Sequence, residues 1–372
     1  MSVDPVYVPV LPVRRGAWQA YARLDDAVRP RVAPLWTLVP LTGAERTRGV
    51  PGNADPEEDR VGLERWLPPR VDQLADAVRG MPGWVDAGHV EALLGAATGL
   101  WRLLTGTRLR PVTGPERSPA LQRYAADLAF LTGRGIGIRV LADTTADEPD
   151  TTALLALVDR LCLPPSRIDL IVDVGPVADA ADGTKLAVAA LDLLGALAPW
   201  RTVVLTAGAF PRLPEHPDSG PFLTVPRHDR QLHRGVRAAR PAFPRRLLYG
   251  DYSVEHALSA NLPHIRPHAP PWGLLRYTGP DGYLLARVPT RGGADRVDRV
   301  RGTARRITRS PAFRGAEYSD GEAWLHACAG GDGRAGSGNA ETWIRAGHVQ
   351  HMTFVVEQLL GGTTPHVGRG SS

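Results

Sequence analysis

The chain has 372 residues, 43% of them hydrophobic, and a formal net charge of +5. Its mean hydropathy of -0.17 and the lack of any apolar run of about 18 or more residues exclude a disordered chain or a helical membrane span and leave a folded protein of one large or two medium domains. Only one lysine, Lys185, is present, and the cysteines Cys162 and Cys328 are far apart with no CxxC pair, which speaks against a disulfide framework or a cysteine zinc site.

The N-terminus, MSVDPVYVPVLPVRR, carries an acid and prolines where a signal peptide would place basic and then apolar residues, so a cytoplasmic protein is expected. Short apolar, β-branched runs then recur at intervals: Val6–Val10, Val32–Val39, Leu109–Val112, Gly137–Leu141, Ile168–Val174, Thr202–Thr206, Arg246–Gly250 and Trp272–Tyr277. Helical periodicity fills most of the intervals, over Ala17–Val28, Arg70–Val78 continuing into His89–Leu104, Ser118–Thr132, Thr151–Cys162, Gly183–Ala198 and Asp229–Ala239. Thr42–Pro69 is acidic and rich in Pro and Gly, and reads as an irregular insertion. Runs such as IDLIVDV and RTVVLTA are apolar on both faces, as strands covered on both sides must be.

Eight strands alternating with helices predict a (β/α)8 TIM-barrel-like α/β fold over residues 1–290. The glycine cluster GRGIG at Gly133–Gly137 precedes a strand, whereas a dinucleotide loop must follow one, and no P-loop is present. DGYLLARVPT, from Asp281, reads as a hairpin partner of the eighth strand. Residues 291–362 read as a helical segment packed on the barrel (helices over Arg296–Thr308, Gly321–Ala327 and Thr342–Leu360), and residues 363–372 as a disordered tail. The basic stretch Arg291–Arg314 holds only two acids and admits a nucleic-acid partner. Its Val297, Val300, Ala304 and Ile307 recur at helical spacing, which favours a helix with a solvated arginine face.

In a barrel, functional side chains converge at the C-terminal ends of the strands. Those ends carry Asp143, Asp173, Thr206, Asp251 with Tyr252, and Arg276. Asp173, Asp251 and Tyr252 are the catalytic candidates. Asp143, Thr206, Arg276 and His256 are the ligand-binding candidates, with Arg276 meeting an anion. No cofactor motif is identified, but convergent carboxylates would admit a divalent metal or perform acid–base work. Capping and turn chemistry is the better explanation of any single one of these residues, and only their coincidence at four successive strand ends points to a site. Asp169, inside its strand, reads as structural. His348 and His351 share a helix face without forming a metal motif, and Ser253 near His256 lacks the elbow of a serine hydrolase. The expectation is a mouth for a small anionic or phosphorylated ligand, with a hydrolytic, metal-assisted reaction if there is turnover. The rival is a non-catalytic protein- or nucleic-acid-binding module.

Five segments together resemble the beta-protein family, a group named from a phage protein: YVPVLPVRRGAWQAYARL from Tyr7, RVAPLWTLVPL, LIVDVG, YGDYSVEH and TWIRAGHVQHMTFVVEQL. The chain departs from the family pattern at Gly16-Ala17, where Gly-Glu is usual, and at Gln350-His351, where paired histidines are usual. The resemblance implies a barrel-like fold and a distribution among phages and bacterial mobile elements. From that distribution follow an expected role in phage–host conflict or antiviral defence, and defence or phage proteins as partners.

Overall fold

The computed structural model describes residues 4–39, 56–91, 96–142, 151–212, 222–243, 246–259, 272–292, 294–331 and 336–361. The predicted disordered tail falls outside them. Eight parallel strands close into a barrel: β1 (Tyr7–Pro12), β2 (Leu35–Thr37), β3 (Gly83–Asp86), β4 (Leu109–Thr113), β5 (Ile136–Leu141), β6 (Ile168–Pro176), β7 (Thr202–Gly208) and β9 (Leu247–Asp251). Closure comes from β9 pairing with β7 (Val203 opposite Leu247) and with β1 (Tyr7 opposite Tyr249). The (β/α)8 expectation therefore holds, with one exchange of strands.

The expected eighth strand, Trp272–Tyr277, lies outside the barrel. As β10 (Trp272–Thr278) it pairs antiparallel with β11 (Gly282–Pro289), which pairs in turn with β8 (Phe222–Pro226), a strand inserted after β7. The strand that completes the barrel is the four-residue Gly83–Asp86, which the sequence reading had merged into a helical stretch. Too short to show a period of two, it is fixed by its neighbours: it pairs with β2 and β4 at once.

Helices α1 (Arg15–Ala22), α2 (Pro56–Val78), α3 (Ala96–Gly106), α4 (Pro119–Thr132), α5 (Thr151–Leu161), α6 (Ala180–Leu194) and α7 (His228–Ala239) follow successive barrel strands. The segment read as irregular up to Pro69 is helical from Pro56, with Pro68 and Pro69 inside α2. Local chemistry sets the ends of α4. Ser118 Oγ accepts from the Leu121 amide at 3.4 Å, Pro119 opens the first turn, and Gly133 closes the helix at φ +67°.

After β9 the chain leaves the barrel for β10, β11, α8 (Ala294–Thr308) and α9 (Asp320–Gly330), and returns in α10 (Ala340–Leu359). Val349, Met352, Phe354, Val355 and Val356 of α10 join one apolar cluster with Tyr7, Leu11, Trp18 and Tyr21 of β1 and α1. Thus α10 stands where the eighth barrel helix belongs. Of the four residues whose spacing predicted an apolar stripe on α8, Val300, Ala304 and Ile307 are buried and Val297 is partly buried. Several arginines of that stretch serve their own chain: Arg305 donates to Ala329 O, Arg296 to Ser337 Oγ, and Arg306 lies over the Phe222 ring.

Candidate active site at the mouth of the barrel

Alternation along the strands decides which side chains enter the barrel. Val8, Val10, Leu35, Trp84, Val112, Ile171, Val204, Leu248 and Tyr252 form one interior cluster. At its N-terminal end Asp169 accepts from Trp84 Nε1 (2.8 Å), Arg110 (3.1 Å) and Arg201 Nε (2.7 Å), which is the structural role read from the sequence. Four residues further along the same strand, Asp173 faces the mouth.

The floor of the mouth is a chain of matched charges. Arg139, projecting inward from β5, donates to Asp86 Oδ2 at 2.8 Å, to Asp173 Oδ2 at 2.9 Å through Nε, and to the Tyr252 hydroxyl at 2.8 Å. Tyr252 in turn donates to Asp173 Oδ2 at 2.6 Å. The second oxygen of Asp173 accepts from the Gly175 amide at 2.9 Å, in a turn that puts Gly175 at φ +69°, a conformation favouring glycine. Asp86 Oδ1 accepts from Arg117 at 2.7 Å and from the Gly88 amide at 2.9 Å. Burial pushes the Asp86 carboxyl up, but Arg117 and Arg139 outweigh it and hold the group well below the usual carboxylate range.

Above this floor opens a cleft of about 580 Å³ whose walls include His89, Glu91, Glu116, Arg117 and Glu255. His89 is half-buried, and among the described residues nothing hydrogen-bonds its ring. Burial lowers its pKa below the ordinary 6.5, against the attraction of Asp86. Glu91 is paired with Arg117 at 2.9 Å, yet burial leaves its carboxyl above the ordinary value.

Of the sequence candidates, Asp173 and Tyr252 meet in this mouth. Asp251 does not. It follows Gly250 on the opposite face of β9, where Tyr7 donates to Oδ1, Tyr249 to Oδ2 at 2.9 Å, and His351 Nε2 lies 3.0 Å from Oδ2. Arg227, fully buried, sits 3.7 Å away. Burial raises the Asp251 carboxyl, and His351 and Arg227 bring it below its ordinary value. The expectation that Asp173 and Asp251 share a cation or an acid–base task is therefore corrected: the barrel wall separates them.

Thr206 is buried inside the barrel, and among the described residues its hydroxyl has no partner. Arg276 belongs to β10 rather than to a barrel strand. It stacks on Phe210 and donates to Leu274 O, and burial lowers its pKa to about 10 despite Glu255, so it does not await an anion in the mouth. His256 accepts from the Leu258 amide at 3.1 Å and so closes its own turn. Asp143, His264 and His268 lie outside the described residues.

Ser253 pairs with His348, not with His256. Its hydroxyl is 2.8 Å from His348 Nδ1, and His348 Nε2 is 3.1 Å from Glu255 Oε1. Burial favours the neutral imidazole of His348. Its Nε2–H then donates to Glu255, while Nδ1 accepts from Ser253. Burial pushes Glu255 up, but this hydrogen bond and the nearby Arg14 and Arg276 bring its carboxyl to about 2. With Ser253 buried, this relay positions Glu255 at the rim of the cleft rather than activating a nucleophile.

Both oxygens of Asp173 and of Asp86 are occupied by N–H and O–H donors, and no cluster of three or more His, Cys, Asp or Glu among the described residues is arranged to hold an ion. Among the described residues no helix is long and apolar enough to cross a membrane.

The sequence also matches the family model described as Beta protein over residues 7–357, nearly its whole length. The chain belongs to the Beta protein family. None of the curated proteins matches it. Among solved structures this family member is similar to a 3-keto-D-glucoside 4-epimerase, YcjR, from E. coli, at 11% identity, covering 71% of this chain and 94% of the other, with a TM-score of 0.28. So distant a likeness carries no argument, and the barrel rests on its strand pairing.

Proposed function

We propose that this Beta family chain takes a small polar ligand, neutral or cationic, in the mouth of its barrel, and that His89 is the group that exchanges a proton with it. One observation carries the reading: both guanidiniums of the cleft are already committed to carboxylates. Arg139 is held by Asp86 and Asp173, and Arg117 by Asp86, Glu91 and Glu116. Against these two cations the cleft presents Asp86, Glu91, Glu116, Asp173 and Glu255. The anionic or phosphorylated ligand expected from the sequence would meet an excess of like charge. A hydroxyl-rich or amine ligand would instead find carboxylate acceptors, the Tyr252 hydroxyl and an unpartnered neutral imidazole. The position at the C-terminal ends of the strands is where barrels carry their sites. A hydrolytic reaction here would run on His89 as general base. A place for such chemistry in phage–host conflict rests on the family's distribution alone.

The test is a thermal-shift screen of small polyols, amines and their phosphorylated counterparts against the wild type, Tyr252→Phe and His89→Asn. The reading expects neutral or cationic compounds to raise the melting temperature, with smaller shifts in both variants. Stabilisation by phosphorylated compounds alone, or hits insensitive to both substitutions, would refute it.

A further inference from the structure

A second cavity, of about 440 Å³, lies at the opposite end of the barrel, where β1 and β9 begin and α7 ends. Its charge is the reverse of the mouth's. Arg237, Arg240 and Arg246 line it, and no acid does. Arg240 is held bidentately by Asp192, and Arg246 pairs with Asp4 at 3.0 Å; both acids lie outside the lining. Arg237, exposed at the end of α7, has no acid partner among the described residues.

The decisive group is His233. It is 3% exposed and forms part of the cavity wall, and among the described residues neither ring nitrogen has a hydrogen-bond partner. Its ring meets Tyr249 edge-on, with centroids 5.1 Å apart. Desolvation and the neighbouring Arg230 and Arg237 lower its pKa to about 3, so the ring is neutral and carries one N–H donor. A buried polar group without a partner is rare in a folded protein and calls for an explanation. Here a cavity with three guanidiniums adjoins it. Apart from Tyr249, the rest of the wall is apolar and includes Phe243 and Leu247.

We propose that this cavity binds a small phosphate monoester, its phosphate meeting Arg237 and the His233 ring and its body lying along Phe243 and Leu247. Guanidinium and N–H donors beside a phosphate make charge-assisted hydrogen bonds, and an apolar wall accepts a planar or aliphatic body. The site is independent of the mouth, which stands or falls by other side chains.

The experiment is calorimetric titration of the intact chain at low salt with adenosine 5′-monophosphate, and with adenosine and inorganic phosphate as its two halves. Saturable binding of the monophosphate, tighter than either half and weakened by added salt, is expected. Arg237→Glu, at an exposed position, and His233→Phe, which keeps a ring against Tyr249, should each weaken it by about tenfold or more. Tyr252→Phe, in the other cleft, should leave it unchanged. The proposal is overturned if the monophosphate gives no saturable heat, if adenosine binds as well, or if Arg237→Glu and His233→Phe both bind like the wild type. Loss of binding in Tyr252→Phe alone would equally overturn it, by moving the ligand to the mouth.

Discussion

Arg139 decides the character of the mouth. Its guanidinium is the bridge between Asp86 and Asp173, and removing it leaves two buried carboxylates facing each other. Arg139→Ala should therefore cost about 3–5 kcal/mol of unfolding free energy, read from urea titrations, and a loss under about 1 kcal/mol would show the bridge to be incidental. His89 sets a pH dependence. Its folded-state pKa lies below 6.5 because burial penalises the imidazolium, so the ring is neutral at pH 7 and charges only on acidification. Binding of a cationic ligand should be flat above pH 7 and weaken as pH falls below that pKa, and His89→Asn should remove this acid limb. Sequence reasoning reached Asp173 and Tyr252 because both stand at legible strand ends. It missed Arg139, although a single arginine within IGIRVL was the visible signal: a charge at an inward position of a buried strand requires partners. It also placed Asp251 in the mouth beside Tyr252, although neighbouring residues of a strand point to opposite faces and only one of the two can face the interior.

Among the elements, β9 is the most tightly constrained. A Cβ at Gly250 would stand 2.4 Å from Thr206 Cγ2 and 2.9 Å from Val8 O, where three strands meet to close the barrel. Gly250→Ala should destabilise by about 1–3 kcal/mol through overpacking, seen as a lower melting temperature, and an unchanged melt would contradict that close approach. In α9, Glu322 is fully buried, with Ser319 and Tyr277 donating to it. Burial outweighs these bonds and raises its carboxyl to about 7. The folded state therefore binds this proton more tightly than the unfolded chain does. Stability is complete below about pH 4.5 and is lost as pH rises toward 7, by at most about 3 kcal/mol. Glu322→Gln should flatten that segment of the stability profile, and a variant that keeps the wild-type slope would exclude Glu322 as its source. Neither GWVD nor the first part of α2, from Pro56 through Pro68 and Pro69, was legible, whereas the end of that helix, Arg70–Val78, was. A strand of four residues carries no period, and prolines inside a helix contradict local propensity. Both are set by the neighbours they pack between.

At the scale of the molecule, the (β/α)8 count was legible because seven of the eight walls lie in apolar runs bounded by helical or polar stretches, whereas the detour between β9 and α10 was not. Parallel and antiparallel strands look alike when both are apolar, so Trp272–Tyr277 read as a wall. Its true partner, Gly282–Pro289, was legible as a hairpin. The return of α10 ties the ends of the chain together: His351 reaches Asp251 and Tyr7, and Gln350 Nε2 donates to Thr278 O. A chain ending at Asn339 would expose the outer face of β1 and leave Asp251 without His351. It should lose the cooperative unfolding transition altogether, and a truncated chain melting like the full one would show α10 to be an accessory.

The two ends of the barrel differ in charge, acidic at the mouth and arginine-lined at the base. A crystallographic soak of the intact chain with small polyols, amines and their phosphorylated counterparts tests this difference most directly. Neutral or cationic compounds should appear over Arg139 and Tyr252, between His89 and Glu255, and phosphorylated ones beside Arg237. Phosphorylated compounds seated in the mouth, or a mouth that takes up none of the neutral and cationic compounds, would contradict it.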